Sequence, residues 1–368
     1  MTPRACTSLW IAILLWILPT FASVARADDP ESLVWVDADE LQVEGRAFEG
    51  RERTWDRLPA RARDLVRPPV WELSRQSAGI VVRFRTDSPT VAVRWTLSSD
   101  RRAMPHMPAT GVSGVDLYTR VDGEWRWVAC GSPGGLRNER VLVEGLEPIA
   151  RDWMLYLPLY NGVERVSIGV ASGYEADPLP PRSEPIVFYG TSITQGACAS
   201  RPGMNHVAIL GRRLDRPVVN LGFSGNGRLE PEVGRFLVEI DASVIVLDCL
   251  PNLDAETVSA RTVPMVELIR RAHPKVPIVL VEGRAYADAG FDEGRRRRNT
   301  ENWRALRACF QELRDRGFEG IHYLEGDRLL GDDGEATVDG SHPTDLGFMR
   351  QADAFEPVLR RAIVEGKG

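Results

Sequence analysis

Four short segments of this 368-residue chain carry the residue types of nucleophilic acyl chemistry. In Gly190-Thr191-Ser192-Ile193-Thr194-Gln195-Gly196 a serine follows an apolar run. At the carboxyl end of a parallel strand, where a helix begins, such a serine has an exposed Oγ and free backbone N–H groups that can hold a developing oxyanion. The same position suits a helix N-cap, and the spacing is not the Gly-x-Ser-x-Gly elbow. In Asn220-Leu221-Gly222-Phe223-Ser224-Gly225-Asn226-Gly227 three glycines let backbone approach a ligand, but in the order Gly-x-x-Gly-x-Gly, which is not the dinucleotide fingerprint. A backbone N–H donor or a tight turn fits that order. Asn252, after Leu247-Asp248-Cys249-Leu250-Pro251, offers an amide that can donate to an oxyanion or serve a turn. Finally, Asp339 stands three residues before His342, so within one turn a carboxylate can orient an imidazole and stabilise its protonated form.

These segments need strands that end at one edge, and the sequence supplies them. From Ile186 onward, nearly continuous apolar runs (186–189, 218–223, 244–249, 277–281 and 321–324) alternate with helical patterns at 230–240, 257–272, 299–316 and 344–363. Runs of that kind are buried on both faces, as in a parallel sheet. Five βα units predict a doubly wound, three-layer α/β/α domain of flavodoxin-like type over 186–368, with its site at the carboxyl ends of the strands. Ahead of it, Gly79–Thr86, Thr90–Thr96, Asp116–Val121, Glu124–Ala129, Trp153–Leu157 and Arg165–Val170 are β-branched and aromatic. They predict an antiparallel β-sandwich over 28–175, with Asp122-Gly123 closing a type I′ hairpin. Residues 176–185 hold four prolines and read as a stiff linker without regular structure.

With 43% hydrophobic and 27% charged residues the chain is a folded protein, which excludes disorder and collagen-like structure. A net charge of −6 argues against nucleic acid as a partner. Residues 1–27 combine Arg4, an apolar run from Leu9 to Phe21 and Ala25-Arg26-Ala27, the plan of a cleaved secretory signal. The run is too short to span a bilayer, so a secreted or periplasmic protein without stable membrane insertion is expected. Cys130, Cys198, Cys249 and Cys309 show no C-x-x-C or Cys/His cluster, so no metal is expected, and buried single thiols fit as well as a bridge; nucleophilic acyl chemistry of the kind above requires no organic cofactor. Arg295-Arg296-Arg297-Arg298 reads as a solvated helix start or loop that could also grip an acidic ligand. His206, His273 and His322 read as packing or surface residues.

Taken in order, the Ser, Gly, Asn and Asp-x-x-His segments resemble the motif blocks of the SGNH (GDSL-type) hydrolase superfamily over residues 183–365, with Gly-Thr-Ser in place of the name-giving Gly-Asp-Ser. The resemblance implies Ser192 as nucleophile and Asp339 and His342 as its partners. It also implies an oxyanion hole of the Ser192 N–H, Gly225 and Asn252. Through Gly114-Val115-Asp116-Leu117-Tyr118 and Trp71-Glu72-Leu73-Ser74 the amino-terminal region resembles the β-sandwich of an exported, carbohydrate-esterase-like branch. That implies a serine esterase acting on acylated, chiefly acetylated, carbohydrate. An acyltransferase using the same acyl-enzyme and a non-catalytic carbohydrate-binding protein are the alternatives. Met104-Pro105-His106-Met107-Pro108 is expected to lean over the catalytic face, with His106 and Met107 contacting substrate.

Overall fold

The computed structural model describes residues 32–182 and 184–366; the expected signal segment, 1–27, lies outside the described residues. The amino-terminal half is built from two antiparallel sheets. One has the order β1-β9-β4-β7, from β1 (Leu33–Asp37), β4 (Val91–Leu97), β7 (Arg137–Val143) and β9 (Val163–Ala171). The other runs β10-β3-β8-β5-β6, from β3 (Val81–Thr86), β5 (Val115–Val121), β6 (Glu124–Gly131), β8 (Arg151–Tyr156) and β10 (Asp177–Pro178), with β2 (Gln42–Glu44) also on β3. Period-two alternation decides what lies between the sheets: Val82 and Phe84 of β3 meet Val91, Val93 and Trp95 of β4 in one core. Residues of opposite parity, Val81 of β3, Tyr118 of β5 and Met154 and Tyr156 of β8, form the other face and pack on Ala208. The β5–β6 turn has Asp122 at φ 51° and Gly123 at φ 83°, the positive pair that a type I′ turn requires.

In the carboxyl-terminal half β11 (Ile186–Gly190), β12 (Val218–Gly222), β13 (Val244–Asp248), β14 (Ile278–Val281) and β15 (Ile321–Leu324) form one parallel sheet in the order β12-β11-β13-β14-β15. This is the 2-1-3-4-5 order of flavodoxin-like sheets, which places the topological switch point beside β11. Ile186, Phe188, Val244 and Val246 face Val207 and Leu210 of α4 (His206–Arg213) and Phe355 and Leu359 of α8 (Asp345–Glu365). Val187, Tyr189, Ile245 and Leu247 face α5 (Pro231–Leu237), α6 (Ala255–Ala272) and α7 (Glu293–Asp315).

Two features modify the sequence-based division. Phe48, Leu58, Val66, Val70 and Trp71, including most of the apolar face of α1 (Pro68–Ser74), join the core beneath α5 and α6, so part of the amino-terminal region completes the α/β half. The proline-rich stretch is also not wholly irregular, since Asp177 and Pro178 pair with Arg85 and Phe84 as an edge strand. An edge position needs no N–H from proline on its outer side, so proline is tolerated there.

Candidate active site

The segment after β11 removes the cap reading of Ser192. Thr191 is the N-cap of α3 (Ser192–Gln195): its Oγ1 accepts from Ile193 N–H, and Thr194 Oγ1 accepts from Thr191 N–H, both at 3.3 Å. Ser192 is therefore the first helical residue, and its hydroxyl is not consumed in capping. Gly196, at φ 113°, ends the short helix. Thr194 Oγ1 donates to Asp248 Oδ2 at 2.8 Å, and Asp248 is ion-paired with Arg284, which donates through Nε to Gln351 at 2.8 Å. All four side chains are buried, so α3 is anchored to β13, to the end of β14 and to α8 through fully enclosed polar groups.

Ser192 Oγ lies 2.9 Å from His342 Nε2, and His342 Nδ1 lies 2.7 Å from Asp339 Oδ2. The second Asp339 oxygen accepts from the N–H groups of Ser341, at 3.0 Å, and His342, at 2.8 Å. Burial raises the Asp339 carboxyl, but the His342 and Ser341 hydrogen bonds outweigh it and bring it down to about 2. The carboxylate thus stays charged beside the imidazole. The loop is pinned where it meets α8, with Val338 N–H donating to the His342 carbonyl at 2.9 Å and Thr344 capping the helix. Cys198, near Asp339, is held as a neutral thiol, because burial pushes it up to about 12.

The loops after β12 and β13 meet at the same edge. Gly225 adopts φ +69° in a turn held by Asn226 and Gly227 N–H donating to the Phe223 carbonyl, at 2.8 and 2.9 Å. With the Asn252 amide oriented so that its oxygen faces the turn, Oδ1 accepts from Asn226 N–H at 3.1 Å and Gly227 N–H at 3.2 Å, which leaves the amide NH2 as the remaining donor. Among the described residues the backbone N–H groups of Ser192 and Gly225 have no protein acceptor. Three donors are thus left unused on the loops around Ser192.

His106 reaches this face: its ring centroid is 6.1 Å from that of His342, and the loop carrying it is closed by paired hydrogen bonds of 3.0 and 3.1 Å between Met104 and Met107. Met107, expected to touch substrate, is instead 2% exposed and packs with Val112 of α2 (Ala109–Val112), Leu159 and Ile193. An unbranched apolar side chain gains more from that core than from the cleft, so Met107 anchors the loop on which His106 stands. Beside the Gly225 turn opens a cavity of about 680 Å³ lined by Met104, Tyr160, Ser224 and Asn226 among others. Tyr160 links it to Ser192 by donating its hydroxyl hydrogen to the Ser192 carbonyl at 3.2 Å. Two larger clefts, of about 820 and 890 Å³, share no residue with this edge.

Several supporting residues escape sequence reasoning. Arg57, 1% exposed, donates to four carbonyls, among them those of Asn220 and Gly222 at the end of β12. Arg298 Nη2 donates to the carbonyls of Pro251, at 3.3 Å, and Leu253, at 2.9 Å, and Arg295 bonds Asp288 and the Asp339 carbonyl. Half of the four-arginine run therefore braces site loops, while Arg296 and Arg297 are exposed. Asp116 of the Gly-x-Asp-Leu-Tyr segment is fully buried and accepts from Arg201, at 2.7 Å, Gly203 N–H, at 2.9 Å, and Trp127 Nε1, at 2.8 Å. That segment locks the sandwich to the loop between α3 and α4. His206 is enclosed against Phe348, with ring centroids 5.8 Å apart, and burial keeps its imidazole neutral.

Comparison with known proteins places these features in a family. Residues 183–360 match the model of the GDSL-like lipase/acylhydrolase family, and residues 33–176 match that of the N-terminus of SGNH-hydrolase-type esterases. A crystal structure of a GDSL-like lipase homologue from Bacteroides ovatus is similar over 90% of this chain and 98% of its own, with 34% identity and a TM-score of 0.86. A salicylyl-acyltransferase from a tetracycline biosynthetic pathway shares the fold at 22% identity and a TM-score of 0.73, over 89% of this chain and 97% of its own. An acetyl xylan esterase from the rumen bacterium Butyrivibrio proteoclasticus does so at 11% and 0.56, over 90% and 100%. No curated protein matches the chain in sequence. On the family models and the Bacteroides relative, this chain belongs to the GDSL-like lipase/acylhydrolase family, with the amino-terminal domain of SGNH-type esterases joined to it.

Proposed function

We propose that the protein is an exported serine esterase that removes short acyl groups, acetyl foremost, from carbohydrate. The observation that carries this reading is the hydrogen-bonded series Ser192–His342–Asp339, at 2.9 and 2.7 Å, beside unused donors on Ser192, Gly225 and Asn252. His342 Nε2 takes the Ser192 proton as Oγ attacks the ester carbonyl, and the N–H donors receive the tetrahedral oxyanion. Asp339 holds the imidazole in the tautomer whose Nε2 accepts, then stabilises the imidazolium. The alcohol leaves with the proton from His342; water, activated by the same nitrogen, releases the acid.

Carbohydrate as substrate is supported by the hydrogen-bonding side chains of Gln76, Ser98, Ser99, Asn161, Ser224 and Asn226 in the cavity beside the Gly225 turn and by the fold shared with an acetyl xylan esterase. Export is supported by residues 1–27, and recovery of an extracytoplasmic protein beginning at Asp28 would test it. A second reading passes the acyl group to a sugar or alcohol instead of water; the cavity gives an acceptor room, and one relative of the same fold is an acyltransferase. Hydrolysis of acetylated xylan, acetylated monosaccharides and short- and long-chain nitrophenyl esters, with Ser192→Ala as control, tests the first reading. Turnover of acetylated sugars that vanishes in the variant supports it, and turnover unchanged in Ser192→Ala excludes it. Acylated products formed only when an alcohol acceptor is added would favour the transferase.

A further inference from the structure

The cavity beside the Gly225 turn has an electrostatic character opposite to that of the chain as a whole. The chain carries 52 acidic against 46 basic residues, yet the charged side chains lining this cavity are Arg53, Arg75 and Arg101 against the single carboxylate of Glu72. Arg75 is engaged, with Nη1 3.2 Å from Glu52 and its guanidinium over Trp71. Arg53 and Arg101 have no carboxylate within 4 Å among the described residues, and neither does Glu72 have a basic partner. Of the two acids near Arg53 in sequence, Glu52 is paired with Arg63 and Arg75, and Asp56 accepts from the Arg53 backbone N–H at 3.2 Å. An uncommitted guanidinium in a cleft with low-dielectric walls focuses positive potential and offers a planar fork for a carboxylate. The cavity volume, about 680 Å³, falls in the range of about 300–1,000 Å³ usual for small-molecule sites. Its lining includes Ser224 and Asn226, which flank Gly225.

We propose that this cavity is an anion-accepting subsite, so that the preferred esters carry a carboxylate, bound by Arg53 and Arg101, within reach of the Ser192 ester carbonyl. The inference rests on the esterase reading of the same site and deepens it. The carboxylate has two sources, a uronic acid on the alcohol side or a dicarboxylic acyl group, and matched substrate pairs separate them. The first pair is acetylated galacturonate against acetylated galactose; the second is nitrophenyl hemisuccinate against nitrophenyl butyrate.

For at least one pair, kcat/KM for the acidic member should exceed that for the neutral one by about tenfold to a hundredfold at low ionic strength, the weight of a hydrogen bond to a charged group. The ratio should fall as salt is added. It should fall further in Arg53→Gln and Arg101→Gln, and approach one in the double variant. A ratio near one for both pairs in the unaltered protein, or a ratio unchanged in a double variant whose thermal unfolding matches the parent, overturns the subsite. Calorimetric binding of galacturonate, galactose, succinate and butyramide to Ser192→Ala separates this idea from the esterase reading. Tighter binding of an acid than of its neutral partner supports the subsite even if no ester is hydrolysed, and equal binding of both pairs refutes it even if esters are hydrolysed.

Discussion

Arg57 Nη1 donates to the Gly222 carbonyl at 2.8 Å and to that of Asn220 at 2.9 Å, so a side chain from the amino-terminal half closes the end of the strand that leads into the Gly225 turn. Its Nε and Nη2 bind the carbonyls of Gln76 and Leu73, at 2.8 and 2.7 Å, and the guanidinium lies over Phe223. Burial brings the group down to about 9, still cationic at neutral pH. Four carbonyls accept from it and the nearby Asp56 charge adds to them, offsetting part of its desolvation, and the carbonyls join α1 to the end of β12. Arg57→Met should leave those carbonyls unpaired and cost about 3–5 kcal/mol in urea unfolding. In the folded fraction kcat should drop more than KM rises. A loss below about 1 kcal/mol would mean that water replaces the guanidinium at no cost.

Gly225 and Gly227 should respond differently to the same change. A Cβ on Gly227 would stand 1.9 Å from the Gly190 carbonyl oxygen, two residues before Ser192, whereas one on Gly225 meets nothing within 4 Å. Gly225→Ala meets only the strain of φ +69°, about 1–2 kcal/mol, and keeps its N–H, so activity should fall no more than several-fold. Gly227→Ala must displace the turn from β11, and activity should fall at least a hundredfold. Parallel assays of the two soluble variants decide the point.

Asn252→Ala should lower kcat by about a hundredfold to a thousandfold, the usual effect of losing one oxyanion donor, with little change in KM. Asn252→Asp should be no better, since it keeps the acceptor for Asn226 and Gly227 N–H but loses the NH2. Restoration of activity in the aspartate variant would show that Asn252 serves only to hold the turn.

The Asp339 carboxyl, brought to about 2 in the folded protein against an ordinary 3.8, contributes stability that is complete above about pH 4 and is lost as pH falls through about 2. The effect is modest because the side chain is 45% exposed and solvent screens it. Asp339→Asn should therefore show a shallower decline in unfolding midpoint between pH 5 and pH 2.5 than the parent. At pH 7 its kcat should fall by orders of magnitude, because an amide can hold the wrong imidazole tautomer. Equal acid slopes in the two proteins would contradict the hydrogen-bond pattern at Asp339.

Asp116 gathers Arg201, Gly203 N–H and Trp127 at a fully buried carboxylate. Asp116→Ala should destabilise the protein by about 3–5 kcal/mol by stranding the Arg201 charge. Arg201→Met combined with Asp116→Leu should recover part of that loss, since removing both charges also removes the desolvation penalty. Unfolding of the single and double variants measures it.

The sequence alone determined the parallel sheet, because strands buried on both faces must read as unbroken apolar runs, and the I′ hairpin, because few residue pairs tolerate two positive φ values. It also offered Ser192, Gly225, Asn252, Asp339 and His342 just beyond strand ends, each open by itself to a cap or turn reading and singled out together by the order of the motif blocks they resemble. Only the tertiary structure decided what Ser192 is in its helix, since Thr191 and Ser192 are both competent caps and the capping hydrogen bonds choose Thr191. The same holds for Met107, whose burial depends on Leu159 and Ile193, and for residues 48–71, which cover a sheet more than a hundred residues later in the chain. Arg57 is separated by more than 160 residues from the β12 carbonyls it binds. Backbone carbonyls are the same at every residue, so no local pattern can announce such a partner, and only the packing of the two halves brings it to them.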